Sequence, residues 1–464
     1  MKNEKTFWLF ALAFLIWQPV IDVLTSASLL LLNVNLTVGV IARVLFMAAI
    51  VLALFWLARS NRLARKYLLY LIGLAVLILV NMAMNFNVKD PYYIASELKY
   101  FNKVVYFPIV FVGFNMLYLY LKREHEPFKE KTTTYFLYAS LIISAVFIIS
   151  FITGTSMSNY SHTKIGFTGW FFAGNEIGGI MAIILPLTAL YAIEQTDKLK
   201  EWRYWVPFVL LAVSMQFLGT KVGYGGIMIV LVATFITMFI FYMTKERTEK
   251  IRSNMLISLI LMAVLVVTTP ITPVFHNMFA HLSLLNIELD FGKEKEKEYD
   301  PVTGEEIPSV DDEDKPEITN DQIQNLVFSS REKYLADMKD DFMDAPIGQK
   351  LFGMGFAGNY VEPGPGVGPK LIEMDFYDLF FSLGIIGFLY MMSVPLYYVV
   401  KFILYFIQNI KETFTMTNVM YGVSFILALG IGATAGHVLT APAVSIYVAA
   451  VMALLMVREG IVKE

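Results

Sequence analysis

Three carboxylates fall close together at Glu373, Asp375 and Asp378, in a stretch (LIEMDFYDL) that runs directly into the apolar segment FFSLGIIGFLYMM. Asp375 and Asp378 are three positions apart and share a face if the stretch is helical, with Glu373 a turn or less before them. Three readings suit such a cluster. Desolvation at the edge of an apolar segment makes a carboxylate a better general base, able to take a proton from a hydroxyl. A set of oxygen ligands can hold calcium or magnesium. Acidic groups at the start of a helix also simply complement its dipole, as an acidic rim.

Other polar residues stand out against the apolar background. Arg331, in SSREKYL, lies on a charged helical pattern where ion pairs are worth little, or else it offers a fork for an anion. Lys221, in FLGTKVGYGG, is a lysine snorkelling from a helix end, or a cation whose flanking glycines let a large anion approach the backbone. Asp22 and Arg43 sit inside apolar segments and either pair with each other or face a polar path. Asn175 and Glu176, in FAGNEIGG, either face a substrate or belong to a close helix contact permitted by Gly174, Gly178 and Gly179. His437, in TAGHVLTAP, either joins the carboxylates or is an ordinary interfacial histidine. The absence of cysteine removes disulfides, thiolate metal sites and thiol nucleophiles, and none of the five histidines has metal-ligand spacing.

The elements that must position these residues follow from composition. The 464 residues are 57% hydrophobic and only 16% charged, with a mean hydropathy of +0.60, which excludes an ordinary soluble globular domain. A segment of about 20 apolar residues crosses a hydrocarbon core of about 30 Å. Windows near 7–31, 36–58, 67–86, 103–121, 134–153, 170–193, 205–219, 222–243, 254–275, 376–400, 417–436 and 439–457 qualify, predicting an all-α polytopic membrane protein of about twelve spans. The first of these is expected to be a retained span, because its apolar run is too long for a signal-peptide core.

Basic residues fall in alternate connections: Arg59 to Lys66, Lys122 to Lys131, Lys198 to Arg203 and Lys245 to Arg252. By the positive-inside rule both termini are then cytoplasmic. The expected organisation is spans one to nine over 1–275, a large extracytoplasmic loop over 276–375 and spans ten to twelve over 376–464. Within the loop, 288–319 is acidic and poor in aromatics, so it is expected to stay flexible. Residues 320–345 place Ile323, Leu326, Val327, Tyr334, Leu335, Met338 and Phe342 at helical spacing, predicting an amphipathic helix against the bundle. A Gly/Pro-rich loop containing Gly353, Gly355, Gly358 and PGPGVGP follows.

Taken together, the chain resembles the O-antigen ligase and O-antigen polymerase superfamily, membrane glycosyltransferases acting on polyprenyl-diphosphate-linked glycans. The likeness rests on the span count, the large loop between spans nine and ten, Lys221 between spans seven and eight, Arg331 on a loop helix, the G-x-G at Gly353 and Gly355, and LGIIG beginning at Leu383. The resemblance implies that Lys221 and Arg331 hold the donor diphosphate. It also implies that the residue eleven positions before Gly384, which is Glu373, activates the acceptor hydroxyl. The chain departs from the family pattern twice, with Lys221 where arginine is usual and Glu373 where histidine is usual; Asp375 is the near alternative for the base. The resemblance further implies a plasma-membrane polymerase or ligase without metal or other cofactor. Its partners would be a lipid-linked glycan donor, a glycan acceptor, membrane lipid and other polysaccharide-export proteins, and not nucleic acid. The rival readings are a secondary transporter or lipid-linked-glycan flippase working through Asp22, Arg43 and Glu176, and a scaffold that docks partners on its acidic loop.

Overall fold

Backbone buried in lipid has no water to bond, so the apolar windows can only be satisfied as helices. The computed structural model describes residues 2–33, 37–90, 92–160, 164–244, 247–284, 331–356 and 371–463. In chain order the helices are α1 (Lys2–Leu30), α2 (Val38–Leu57), α3 (Arg62–Val88), α4 (Ile94–Arg123), α5 (Phe128–Ile152), α6 (Gly174–Gln195), α7 (Val206–Leu218), α8 (Lys221–Thr244) and α9 (Glu249–Thr268). They continue as α10 (Pro273–Leu284), α11 (Arg331–Asp344), α12 (Ile347–Phe352), α13 (Asp375–Gln408), α14 (Ile410–Thr413), α15 (Met416–Thr434) and α16 (Pro442–Arg458). A small antiparallel pairing of β1 (Met157–Ser158) with β2 (Phe167–Gly169) joins α5 to α6.

Among the described residues, ten helices are long and apolar enough to cross a membrane, and the chain is an all-α polytopic membrane protein. The two remaining windows are occupied by shorter helices, α7 with 13 residues and α16 with 17. At about 1.5 Å per residue α7 covers about 20 Å, less than a hydrocarbon core of about 30 Å. It continues out of a 3₁₀ turn over Leu199–Trp205.

Local chemistry sets the helix starts. Thr37, Asn61, Thr248 and Thr415 each accept a hydrogen bond from the first turn that follows, capping α2, α3, α9 and α15. Gly219, at φ 75°, ends α7 and separates it from α8. Burial then sorts the helices into layers. The most apolar windows of α4 and α6 are 89% buried against 22% for α3 and α9, which makes the former central and the latter lipid-facing rim. α16 is buried from Ala443 to Val457 and completes the centre beside α4.

One helix departs from regularity, and its departure builds the site. α13 is broken at Gly384 (φ 69°, ψ 178°), so the segment 375–383 is offset from the rest. The break frees carbonyls that would otherwise bond along the helix, and each finds a donor elsewhere. Phe381 O accepts Met354 N at 3.0 Å, and Ser382 O accepts Gly355 N at 3.0 Å and Asn81 Nδ2 at 2.9 Å. Asn81 also reaches Phe352 O at 2.5 Å, Asn85 donates to Gly353 O at 3.0 Å, and Gln349 donates to Asn85 at 2.8 Å. Two asparagines of α3 thus hold α12 and the broken helix together.

α11 packs its apolar side on this frame. Met338 and Phe342 form a small core with Met354, Ile372, Met374 and Phe381, with Tyr334 and Leu335 at its edge. The expected positions Ile323, Leu326 and Val327, and the acidic segment 288–319, lie outside the described residues. Asp375 opens α13, where the loop had been expected to run to that residue, and α9 ends at Thr268 ahead of a separate α10.

The geometry at Gly384 generates a test. A Cβ there overlaps Gly353 N and the Leu351 carbonyl, and the φ itself disfavours any other residue. Gly384→Ala is expected to cost about 1–3 kcal/mol, seen as a lower unfolding midpoint in detergent. Gly422→Ala, where a Cβ meets open space, should leave the midpoint unchanged. Equal midpoints for the two variants would show that the break is not required.

Candidate functional site

The turn before α13 is shaped by a carboxylate one turn inside the helix. Asp378 accepts hydrogen bonds from Ile372 N and Met374 N, both at 3.1 Å, which are the amides on either side of Glu373. Glu373 itself adopts φ 63°, a conformation that costs a non-glycine residue energy and persists because its surroundings fix it. The Glu373 side chain meets Arg331: Nη2 donates to Oε2 at 2.8 Å. Arg331 is the first residue of α11, so the amphipathic helix that rests on Ile372 and Met374 also carries the arginine to Glu373. The pair is partly screened, with side-chain exposures of 16% for Arg331 and 32% for Glu373.

Asp375 faces the other way. It is buried, and its two oxygens take four donors: His437 N at 3.0 Å, Val438 N and Leu439 N at 2.7 Å, and Thr440 Oγ1 at 2.6 Å. This clasp folds the 435–441 connection between α15 and α16 back onto α13. The two turns touch directly, since a Cβ on Gly436 (φ 65°) would stand 2.5 Å from the Glu373 carbonyl oxygen. Of the three neighbouring carboxylates, Asp375 and Asp378 are therefore occupied with backbone amides, while Glu373 is directed at a cation. His437, at φ 61°, contributes its backbone N–H to the clasp.

The remaining candidates are held in two further groups. Arg43 of α2 contacts Asp22 of α1, and its Nε and Nη2 each lie 3.2 Å from Gln18 Oε1. Glu176, in the first turn of α6, is near enough to be felt electrostatically by both Asp22 and Arg43, and also by Lys103 of α4. Asn175 is exposed beside it. Gly178 and Gly179 meet Leu218 and Val444, so these glycines serve helix packing. Lys221 is the exposed first residue of α8, within electrostatic reach of Lys164. Asn277 of α10 fixes that corner by bonding Ile165 N at 2.7 Å, Ile165 O at 2.5 Å and Gly219 O at 2.8 Å.

Several supports escaped sequence reasoning. Asn81 and Asn85 were detectable, as two amides four apart in an apolar helix. Glu97 of α4 is buried and accepts Phe356 N at 2.7 Å, beside Gly355. Nearby, burial lowers the Lys89 ammonium to about 8, with Glu97 opposing the change. Thr440 and Lys164 carried no local signal.

The arrangement offers a guanidinium for an anion and a carboxylate for a hydroxyl proton, both on rigid backbone. The clasp can be tested apart from any activity. Asp375→Asn keeps the volume but turns a donor toward the loop amides, and a buried polar group left unsatisfied costs about 1–3 kcal/mol. Amide exchange at Val438 and Leu439 should accelerate about 10- to 100-fold, while Glu373→Gln leaves it unchanged. Undiminished protection in Asp375→Asn would remove the clasp from the account.

Comparison with known proteins agrees with this architecture at the level of the whole chain. No curated protein matches it. A family model described as O-antigen ligase like membrane protein matches residues 4–461, which takes in the ten membrane-length helices among the described residues, the Arg331–Glu373 pair and the Asp375 clasp. The chain belongs to the O-antigen ligase like membrane protein family.

Proposed function

We propose that the protein transfers a glycan from a polyprenyl-diphosphate carrier to an acceptor sugar hydroxyl, as a polysaccharide polymerase or ligase at the outer face of the plasma membrane. Family membership supports the ligase or polymerase role. The observation that carries the reading is the contact between Arg331 and Glu373, the one carboxylate of its cluster that is turned toward a cation rather than toward backbone amides.

In this reading Glu373 accepts the acceptor's hydroxyl proton as the oxygen attacks the anomeric carbon. The bond from that carbon to the diphosphate oxygen breaks, and the electron pair leaves with the polyprenyl diphosphate. Arg331 and Lys221 offset the charge that develops on the departing phosphates. Arg331 cannot serve Glu373 and a diphosphate with the same donors. A donor phosphate that takes the Nη2 donor of Arg331 would draw it off the carboxylate and free Glu373 for the acceptor, which orders the two substrates. Asp375 is assigned a positioning role, since its acceptor sites are already filled. The transport reading draws less support, because Asp22 and Arg43 are paired with each other and Arg43 also bonds Gln18.

The orientation is supported by the distribution of charge. The start of α1, the α4–α5 connection and the end of α16 meet at one end of the bundle: Lys5 bonds Glu126 at 2.5 Å, and Lys122 bonds Val457 O at 2.8 Å. Lys131 and Lys5 hold the Glu126 carboxyl down to about 2. Basic residues collected beside both termini fit a cytoplasmic placement. A cysteine replacing Ser309 in this cysteine-free chain is expected to react with an impermeant thiol reagent outside intact cells, and one replacing Thr248 is not. The reverse labelling inverts the proposal.

The chemistry is tested with purified protein, a polyprenyl-diphosphate oligosaccharide and products sized on a gel. A ladder identifies a polymerase and a single shifted band a ligase; no transfer at all overturns the reading. Glu373→Gln should slow transfer by about 10²–10⁴ while binding donor at least as tightly as wild type, because Arg331 is released. Arg331→Lys, which loses the planar fork, should weaken donor use by about 1–3 kcal/mol. Wild-type transfer by Glu373→Gln would show that another group is the base.

A further inference from the structure

At the end of the bundle opposite the Arg331–Glu373 pair, α3 and α13 diverge. They still touch where Tyr390 lies over Gly73, its ring stacked on Tyr70 at 5.6 Å between centroids. One turn further toward the α3 N-terminus, the Tyr67 and Tyr398 hydroxyls bond at 2.8 Å and form a floor. Beyond this floor the helices part around a cavity of about 1020 Å³, closed on its third side by the chain after α16. Among the described residues its walls carry Lys66, Lys401 and Lys463 against one acid, Glu459.

The charges in this cleft are disposed for a ligand rather than for one another. Glu459 pairs with Arg458 at 3.7 Å. Lys401 lies over the Tyr397 ring at 4.8 Å, which holds the ammonium in place and leaves its charge available. None of the three lysines makes an ion pair with a carboxylate among the described residues. The cleft also opens sideways between lipid-facing surfaces, for Leu69 and Ile72 of α3 and Leu396, Val400 and Leu404 of α13 are all exposed. Leu404 belongs both to this outer surface and to the cavity wall. A free phosphate needs no apolar flank. A phospholipid needs both a cationic pocket and adjoining apolar helix faces for its acyl chains.

We propose that this cleft is a binding site for an anionic membrane phospholipid, with the headgroup phosphate on Lys66, Lys401 and Lys463 and the acyl chains along α3 and α13. The assignment is independent of the glycan chemistry at the other end of the bundle.

The test is thermal unfolding of the delipidated full-length protein in dodecyl maltoside, with phosphatidylglycerol, phosphatidylcholine or inorganic phosphate added. Phosphatidylglycerol is expected to raise the midpoint by a few degrees and the other two additives are not. The triple variant Lys66→Gln, Lys401→Gln, Lys463→Gln should keep its lipid-free midpoint, since the three side chains are exposed, and lose the phosphatidylglycerol shift. The double variant Arg62→Gln, Lys411→Gln, outside the cleft, should keep the shift. An equal shift with phosphatidylcholine, or a triple variant that still responds, overturns the site. A shift reproduced by inorganic phosphate alone overturns its assignment to lipid.

Discussion

Backbone that leaves a helix inside a membrane must find hydrogen-bond partners in the protein, and the rest of the site depends on how that demand is met at Gly384. The break exposes the Phe381 and Ser382 carbonyls, and the amides of Met354 and Gly355 together with the Asn81 side chain satisfy them. Those same bonds fix α12 and the chain that follows it. α11 then has a surface to rest on, and the turn before α13 has a rigid floor. A continuous helix through this point would need no such partners and would leave no reason for the loop to approach it.

On that floor, three acidic residues of similar chemistry acquire different properties from the donors they meet. Asp378 binds the amides that flank Glu373, and Asp375 binds a distant loop, so the oxygens of both are taken up by backbone amides. Buried carboxyl groups whose oxygens accept several amides tie down the chain that carries those amides, and they make the surrounding loops rigid. Glu373 is left pointing at Arg331 because its neighbours on both sides are tied down. The ion pair is thus a product of the two structural acids, and its geometry is set from both flanks.

Much of the fold was legible because the properties that drive membrane insertion are local. Length and hydrophobicity locate each helix, and basic residues mark its connections. The site was legible only in part. Glu373 and Arg331 could be singled out through motif spacing, yet nothing local placed them in contact across 42 positions. The partners of Asp375 lie 62 to 65 positions onward, and Asn81 reaches Ser382 across 301. The break at Gly384 was hidden for a different reason, since an apolar run reads the same whether or not one peptide within it turns. Such features are decided by tertiary partners, which periodicity does not report.

The Asp22–Arg43 contact carries a consequence for biogenesis. Arg43 lies in the second turn of α2, where an unpaired arginine raises the cost of inserting a lone span, so α2 is poorly suited to enter lipid alone. Asp22 is synthesised first, and only a short connection separates α1 from α2. The two charges can neutralise each other as soon as α2 emerges, which favours a helical hairpin over a single helix as the unit that enters lipid. The remaining helices then assemble against a pair whose register is set by one partly buried ion pair.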